Sequence, residues 1–300
     1  MESKKTALSV LIPVYNSRCV DFVRDLQLLV DETGINYEII VADDASTDRR
    51  CVEANRELTE IPHCIYIIKE VNTGAAATRN FLAQQSSYPY LLFVDCDMQL
   101  ADGAFFRRYL DYLDNDETEV VSGGVRVTIY DERWHDNLRF LYEEAEQANH
   151  TAEKRRQRPY QSFRSANFLI RRDVMLRCPF DERFRRSGYE DVLFGKQLKA
   201  DHIAISHIDN PMGFCTFEPN ADFVAKTEEG LRTLHTFRHE LRGYSRLLTL
   251  VEGIHLPIVL RIIRLAYRLL GPTVRRQLCS SHPTLRLFSL YKLAYYVALE

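Results

Sequence analysis

The first 125 residues alternate short apolar runs with segments of helical periodicity. The apolar runs are Leu8–Val14, Tyr37–Ala42, Cys64–Lys69 and Tyr90–Val94. The segments predicted as helices are 20–32, 47–58 and 75–85. Continuous apolar runs between helices are typical of parallel strands that are covered on both faces. The pattern therefore predicts an α/β fold with a Rossmann-like, mostly parallel sheet and helices on both of its faces.

Beyond residue 125 the pattern becomes less regular. It predicts one long charged helix, a strand, a helix, a second strand and a further helix, at Arg133–Arg158, Ser165–Ile170, Glu190–Ala200, Ile203–Ile208 and Ala221–Tyr244. Internal repeats and low-complexity linkers are absent from the sequence. We divide the chain into residues 1–125, 126–220 and 221–300.

The C-terminal region is predicted to form two basic, apolar helices. In the first, Arg261, Arg264 and Arg268 share one helical face, and Gly271-Pro272 is expected to end the helix. The second repeats the design from Leu285 onward. No run of about eighteen uncharged apolar residues occurs, so a bilayer-spanning helix is not expected. Such helices suit a membrane interface, and the alternative is a helical hairpin packed on the rest of the chain.

Composition narrows the classes of protein that are compatible with the pattern. With 46% apolar and 27% charged residues, the chain is globular rather than disordered or fibrous. A net charge of −3 gives no support for a nucleic-acid partner. Residues 246–300, however, carry about +6, and the first 245 carry about −9. We therefore expect residues 247–300 to bind an anionic membrane surface, and a chain ending near Tyr244 to fold without them.

The seven cysteines form no CxxC pair, and their number is odd. This favours reduced thiols over a disulfide framework or a zinc site. With no signal-peptide pattern at the N-terminus, the sequence predicts a cytoplasmic protein, peripheral on the inner face of the cell membrane.

Polar residues follow the predicted strands of the first half. They are Asn16, Asp43, Asp44, Asp95 and Asp97. Ligands of open α/β sheets bind at the carboxyl ends of the strands. Asp95 and Asp97 can both reach one Mg²⁺ or Mn²⁺ ion, which would neutralise the charge of a departing diphosphate. The alternative is a strand-to-turn junction, where Asp is common.

Three further segments have candidate roles. Asp43 and Asp44 can accept an N–H of a nucleobase, while Ser46 or Thr47 caps the next helix. The small residues from Asn72 to Asn80 allow a ligand to approach the start of a helix, although neither a GxxxxGK[ST] nor a GxGxxG loop is present. Asp191, in Gly188-Tyr189-Glu190-Asp191, is either a helix cap or a general base, which the helix N-terminus would keep ionised.

The ordered set LSVLIPVYN, EIIVADDASTD, NTGAAATRN, YLLFVDCD and GYEDVLFG resembles the family 2 glycosyltransferases of the GT-A fold, from Ser9 to about Leu198. The resemblance implies an inverting enzyme that transfers a sugar from a nucleotide-diphosphate sugar, with UDP favoured, to a hydroxyl of a glycan or lipid-linked acceptor. It assigns donor binding to residues 1–125 and acceptor binding with catalysis to residues 126–220. Residues 221–300 then form a helical extension.

The resemblance also implies roles for the donor-binding residues. Pro13, Val14 and Tyr15 would line the base and ribose pocket, and Asp43 or Asp44 would bind the base.

The reacting groups follow from the later motifs. Arg79 would lie near the base and the metal-binding carboxylates, and Asp95 and Asp97 would hold Mn²⁺ or Mg²⁺ on the diphosphate. Asp191 would be the general base, and Glu190 would contact the acceptor or orient the site.

The resemblance also bears on two positions beyond its last motif, one for metal binding and one for diphosphate binding. Many relatives carry a His in a segment like NPxxH, and here Phe214 stands at that place, which implies weaker metal binding or a substitute group. Lys226 resembles a Lys found after that segment in some relatives, and it could pair with the diphosphate. The alternative is that Lys226 is an exposed helix residue without a role in binding.

Two other functions remain open at this level. A nucleotidyltransferase of related fold would need a basic, Gly-rich phosphate loop near the first strand, which SVLIPVYN lacks. A catalytically inactive glycan- or lipid-binding module is opposed by Asp95, Asp97 and Asp191 and favoured by Phe214.

Overall fold

A computed structural model describes residues 7–115, 118–186 and 188–299. Its strands are β1 (Ala7–Val14), β2 (Asn36–Asp43), β3 (Cys64–Ile68), β4 (Tyr90–Val94), β5 (Met98–Leu100), β6 (Val120–Ser122), β7 (Val125–Arg126), β8 (Asn167–Arg171), β9 (Ile205–His207) and β10 (Met212–Phe214). Its α-helices are α1 (Val20–Asp31), α2 (Arg49–Asn55), α3 (Ala75–Gln85), α4 (Phe105–Asn115), α5 (Leu138–Gln147), α6 (Ala152–Gln157), α7 (Arg172–Arg177), α8 (Glu190–Ala200), α9 (Asn220–Thr236), α10 (Arg246–Glu252), α11 (Pro257–Leu278) and α12 (Leu285–Leu299).

The central sheet has seven strands in the order β3-β2-β1-β4-β8-β6-β9. All neighbours pair in parallel except β8, which is antiparallel to both β4 and β6. A small second sheet has the order β5-β10-β7. Leu11 and Phe93 face one hydrophobic cluster, and Val10 and Leu92 face another, so both faces of the sheet are covered. The predicted mostly parallel α/β fold with C-terminal helices is confirmed.

The first four strands, α1, α3 and α8 lie within about two residues of their predicted bounds. The single helix predicted over 133–158 is wrong, because two internal caps divide it. Asn137 accepts a hydrogen bond from the Phe140 N–H at the start of α5, and Thr151 accepts one from the Lys154 N–H at the start of α6. Asp48, rather than Ser46 or Thr47, caps α2.

The predicted end of the first C-terminal helix at Gly271-Pro272 is also wrong. Helix α11 continues through Pro272 to Leu278. Its last turns are held by tertiary contacts, since Leu278 is buried and Val274 packs against the same cluster. Packing therefore outweighs the cost of a proline inside the helix.

The C-terminal helices contribute to the hydrophobic interior. Leu248 and Val251 of α10, and Tyr296 and Val297 of α12, belong to the same buried cluster as Leu11 of β1. This packing opposes the expectation that a chain ending near Tyr244 folds. One hydrophobic cluster contains residues from all three predicted segments of the chain. The division at residues 125 and 220 therefore stays a prediction. In the described ranges, no helix is both long enough and apolar enough to cross a bilayer.

Candidate active site

A cavity of about 650 Å³ opens at the carboxyl ends of β1 and β4. Residues from the ends of these strands, the starts of α3 and α8, and the segment leading into α9 line it. The predicted site residues in its wall are Pro13, Val14, Tyr15, Asp44, Arg79, Asp95, Asp97, Glu190 and Lys226. Asp43 and Asp191 lie outside this lining. Segments that are far apart in the sequence thus meet at one edge of the sheet.

The end of β1 is fixed to the loop after β2 by the side chain of Asn16. Its Oδ1 accepts hydrogen bonds from the N–H groups of Thr47 and Asp48, both at 2.8 Å, and its own N–H donates to the Ser46 hydroxyl at 2.7 Å. Asn16 has a φ of 51°, in the left-handed region that Asn tolerates. The neighbouring Tyr15 is 48% exposed and lines the cavity. Asn16 therefore holds the segment that presents Tyr15.

Asp43 and Asp44, which the sequence does not distinguish, differ in the structure. Asp43 accepts hydrogen bonds from the Ser46 N–H at 2.6 Å and the Tyr66 hydroxyl at 3.0 Å. Only Asp44 of the two lines the cavity. The Asp44 carboxylate accepts hydrogen bonds from the Lys69 ammonium at 2.6 Å and the Gly74 N–H at 2.8 Å. Burial alone would raise the pKa of Asp44, but these donors outweigh it and lower the pKa, so Asp44 is ionised.

Arg79 of α3 connects the two acidic segments of the cavity. One of its Nη atoms donates to Asp95 Oδ1 at 2.7 Å, and the other lies 3.5 Å from Glu190 Oε1. The guanidinium is buried and packs 5.7 Å from the Phe180 ring centre. Burial by itself would lower the pKa of Arg79, but Asp95 and Glu190 raise it. Within the described ranges, Arg79 Nε and Nη1 are buried and form no hydrogen bond, although Nη1 lies at ion-pair distance from Glu190.

The two carboxyl groups after β4 suit a hard divalent cation. Burial raises the pKa of Asp95, although Arg79 opposes the rise. Desolvation is the largest cause that raises the pKa of Asp97, and the like charge of Asp95 is the second. A cation bound to both carboxylates would relieve this repulsion, and oxygen ligands suit Mg²⁺ or Mn²⁺. The described residues contain no group of three or more His, Cys, Asp or Glu side chains that could hold a metal, so this pair would need further ligands.

The second acidic pair begins α8. Gly188 and Tyr189 both have positive φ values, of 102° and 70°, which turn the chain sharply into the helix. Glu190 accepts a hydrogen bond from the Gly188 N–H at 3.2 Å and lines the cavity. Asp191 accepts one from the Val192 N–H at 2.8 Å.

Desolvation, followed by the like charge of Glu190, raises the pKa of Asp191 to about 7. The helix N-terminus is expected to keep Asp191 ionised, but desolvation opposes this effect and outweighs the helix dipole.

The segment after β10 supplies a wall of the cavity that sequence reasoning missed. It comprises Thr216, Phe217, Glu218 and Pro219. Antiparallel pairing of β10 with β5 sets Phe214 opposite Met98, and the Cys215 thiol donates to the Asp97 carbonyl at 2.9 Å. These contacts, which join residues more than a hundred positions apart, have no local sequence signal.

Phe214 and Lys226 lie near the acidic segment after β4, since Phe214 pairs opposite Met98 and Lys226 lines the cavity with Asp97. Phe214 is 9% exposed and packs in the core, with the Arg139 guanidinium 5.4 Å from its ring centre. A Phe side chain has no atom that binds a metal. Lys226 lines the cavity from α9 and pairs with Glu218 at 3.2 Å, while its side chain remains 61% exposed.

Comparison with known sequences gives matches to glycosyltransferases. The Glycosyl transferase family 2 profile matches residues 9–178. The putative teichuronic acid biosynthesis glycosyltransferase TuaG of Bacillus subtilis is 33% identical over 100 residues, covering 32% of this chain and 38% of that protein. Chondroitin synthase of Escherichia coli is 25% identical over 238 residues, covering 69% of this chain and 34% of that protein. The matches thus span less than half the length of these relatives.

Solved structures with the same GT-A architecture cover nearly the whole chain. TarS residues 1–349 of S. aureus, in complex with UDP-GlcNAc, has a TM-score of 0.51 at 16% identity, covering 97% of this chain and 88% of that one. The mannosyltransferase PcManGT of Pyrobaculum calidifontis, in complex with GDP-Man and Mn²⁺, has a TM-score of 0.53 at 13% identity, covering 97% and 84%. The profile match extends over more than half of the sequence and includes four of the five motifs, and the chain belongs to glycosyl transferase family 2.

Proposed function

We propose that this glycosyltransferase transfers a sugar from a UDP-sugar to a hydroxyl group of a glycan or lipid-linked acceptor, with inversion at the anomeric carbon. The observation that carries the proposal is the contact of Arg79 with both Asp95 and Glu190 at one cavity. It joins the carboxyl pair after β4 to the acidic pair that begins α8. The UDP-GlcNAc complex of the TarS neighbour supports a UDP-sugar as the donor.

The nucleotide would bind between the ends of β1 and β2. Pro13, Val14 and Tyr15 supply the surface for the base and ribose, and Asp44 supplies an ionised carboxylate beside them. All four residues line the cavity. Asp43 is better assigned to holding the loop, because its oxygens already accept hydrogen bonds from Ser46 and Tyr66.

The diphosphate would bind near Asp95 and Asp97. These two residues would hold Mn²⁺ or Mg²⁺, which supplies neutralising charge to the leaving diphosphate when bound. Arg79 adds positive charge beside Asp95 and Glu190, and Lys226 adds an exposed ammonium group that can exchange Glu218 for a phosphate oxygen. The Mn²⁺ in the PcManGT complex supports this assignment.

Asp191 would act as the general base, with Glu190 orienting the site. Asp191 takes the proton from the acceptor hydroxyl, whose oxygen forms the new bond to the anomeric carbon as the bond to the diphosphate breaks. A pKa of about 7 is well matched to a base that works near neutral pH. Glu190 lines the cavity and contacts Arg79, so it is placed to fix the guanidinium against the donor.

A screen of nucleotide sugars tests the proposal. The protein is incubated with each donor and Mn²⁺ or Mg²⁺, and release of nucleoside diphosphate is measured. We expect turnover with a UDP-sugar, and a transfer product whose anomeric configuration, determined by NMR, is opposite to that of the donor. Turnover only with GDP-mannose would contradict the donor assignment, and a retained configuration would contradict inversion. No turnover with any donor would favour an inactive glycan- or lipid-binding module.

A further inference from the structure

Helix α11 exposes an apolar stripe on its outer side. The stripe consists of Ile258, Ile262, Leu265 and Leu269, which recur at helical spacing. These side chains are 57–70% exposed. Large apolar side chains that are exposed singly are common, but four along one helix face form a continuous surface.

The stripe is bordered by positive charge. Helix α11 contains five arginines and no acidic residue. Arg261 and Arg268 are exposed and lie two turns apart along one border of the stripe, and Arg276 is exposed near the end of the helix. Among the described residues, none of these three arginines forms an ion pair with an acidic side chain. Their charge is therefore available to an external partner.

The other two arginines of α11 act within the fold. Arg264 donates to the Val297 carbonyl at 3.1 Å, and Arg275 pairs with Glu228 at 2.8 Å. Of the three arginines predicted to share one helical face, Arg264 therefore helps to join α11 to α12. Both helices pack on α9, α12 more extensively than α11, and the stripe of α11 remains uncovered.

A cleft of about 290 Å³ between α11 and α12 extends the apolar surface. Leu270 and Leu290 line it and are 59% and 63% exposed. Ala266 and Tyr267 line the same cleft, on the α11 side. An apolar surface of this kind, with arginines along its border, is typical of helices that lie in a membrane interface.

We propose that the apolar stripe and the arginines at its border bind the surface of an anionic lipid bilayer, as on the cytoplasmic face of a cell membrane. Charge complementarity selects this occupant: the arginines attract anionic headgroups, and the stripe enters the boundary between headgroups and acyl chains. An antiparallel contact between two copies would instead bring the like-charged arginine rows together. The binding does not depend on the proposed reaction.

Vesicle flotation with the full chain tests the proposal. We expect the protein to float with vesicles of phosphatidylglycerol and phosphatidylcholine, and not with phosphatidylcholine alone. The double variant Leu265→Glu/Leu269→Glu should abolish binding. Its matched control is Leu28→Glu on α1, at a side chain that is 61% exposed and distant in sequence. All these positions are exposed, and circular dichroism verifies that each variant is folded.

A second pair of variants tests the charge. Arg261→Gln/Arg268→Gln should weaken binding by about 25-fold, at roughly fivefold for each arginine near an anionic surface. Arg49→Gln/Arg107→Gln, which removes two exposed arginines of the body, should leave it unchanged. Raising the salt to about 1 M shortens the screening length to about 3 Å and should also weaken binding.

Three results would overturn the proposal. One is the absence of binding to anionic vesicles at low salt. Another is an equal loss of binding in the control variants. The third is a dimer in light scattering that Leu265→Glu/Leu269→Glu converts to a monomer without any vesicle binding, which would assign the stripe to a second copy of the chain.

Discussion

Asp191 illustrates how the environment of one residue decides its chemistry. A carboxyl group in water has a pKa near 4, whereas desolvation and Glu190 raise that of Asp191 to about 7. The folded state therefore binds a proton more tightly than the unfolded state. The stability that this proton contributes is complete below about pH 4 and is lost as the pH rises to 7. Ionised Asp191 thus destabilises the fold in the pH range where a base must be ionised.

We predict that Asp191→Asn separates stability from activity. The neutral side chain should raise the melting temperature at pH 8, by about 2–4 °C for each kcal/mol that is relieved, and raise it less at pH 4. Transfer should fall by about 10²–10⁴-fold with donor affinity retained, because the base is lost. Glu190→Gln should have a smaller effect on the chemical step. Thermal melts at the two pH values, donor titration and single-turnover kinetics measure these quantities.

Two outcomes would contradict the account of Asp191. Normal transfer by Asp191→Asn would exclude it as the base. A larger loss of the chemical step in Glu190→Gln would assign the base to Glu190, which lines the cavity.

At the level of elements, the sequence predicts best where local signals determine the structure. Strands β1 to β4 are continuous apolar runs, and polar residues that follow three of them, Asn16, Asp44, Asp95 and Asp97, line the cavity. Local periodicity failed where one or two side chains decide the outcome, as at the Thr151 cap or at Pro272. The small sheet and the segment after β10 depend on pairing between distant residues, such as Phe214 with Met98. A single sequence gives no signal for such pairing.

A substitution at Gly74 tests how the start of α3 shapes the site. It precedes α3 with a φ of 89°, and a Cβ atom there would lie 2.7 Å from the Arg185 carbonyl oxygen. Its N–H also holds Asp44. Gly74→Ala should therefore lower the free energy of unfolding by about 1–3 kcal/mol and weaken donor binding.

Gly34→Ala is the matched control for this substitution. Gly34 has a φ of 70°, but a Cβ atom added there would have no heavy atom within 4 Å, so only the backbone strain is added. Urea denaturation and donor titration of both variants separate strain from collision. Equal losses in the two variants would show that the contact with Arg185 does not matter.

At the scale of the whole molecule, residues 246–300 contribute both to the hydrophobic core and to the exposed apolar stripe. Its buried side chains include Phe288, Tyr291 and Tyr296, which are at most 3% exposed. Replacing one buried aromatic residue with Ala costs about 3–5 kcal/mol, whereas a whole protein is stable by about 5–15 kcal/mol. The loss of three such residues is therefore comparable to the entire stability.

We accordingly predict that a chain ending at Tyr244 does not fold cooperatively. Near-ultraviolet circular dichroism and thermal melting of the truncated and full chains measure this directly. The quadruple variant Leu265→Glu/Leu269→Glu/Arg261→Gln/Arg268→Gln, which changes only exposed positions, should melt like the full chain. A truncated chain with a native melting transition would show that the tail is a separate unit.

The most direct test of the central claim is Mn²⁺-dependent binding of UDP by Asp97→Asn, measured by calorimetry. If Asp95 and Asp97 hold the metal, the wild type should bind UDP more tightly with Mn²⁺, and the variant should lose this gain. Asp25→Asn, at an exposed position of α1, is the matched control and should keep it. An equal gain from Mn²⁺ in the wild type and Asp97→Asn, or tight UDP binding by the wild type in EDTA, would contradict a metal-dependent nucleotide-sugar site at this cavity.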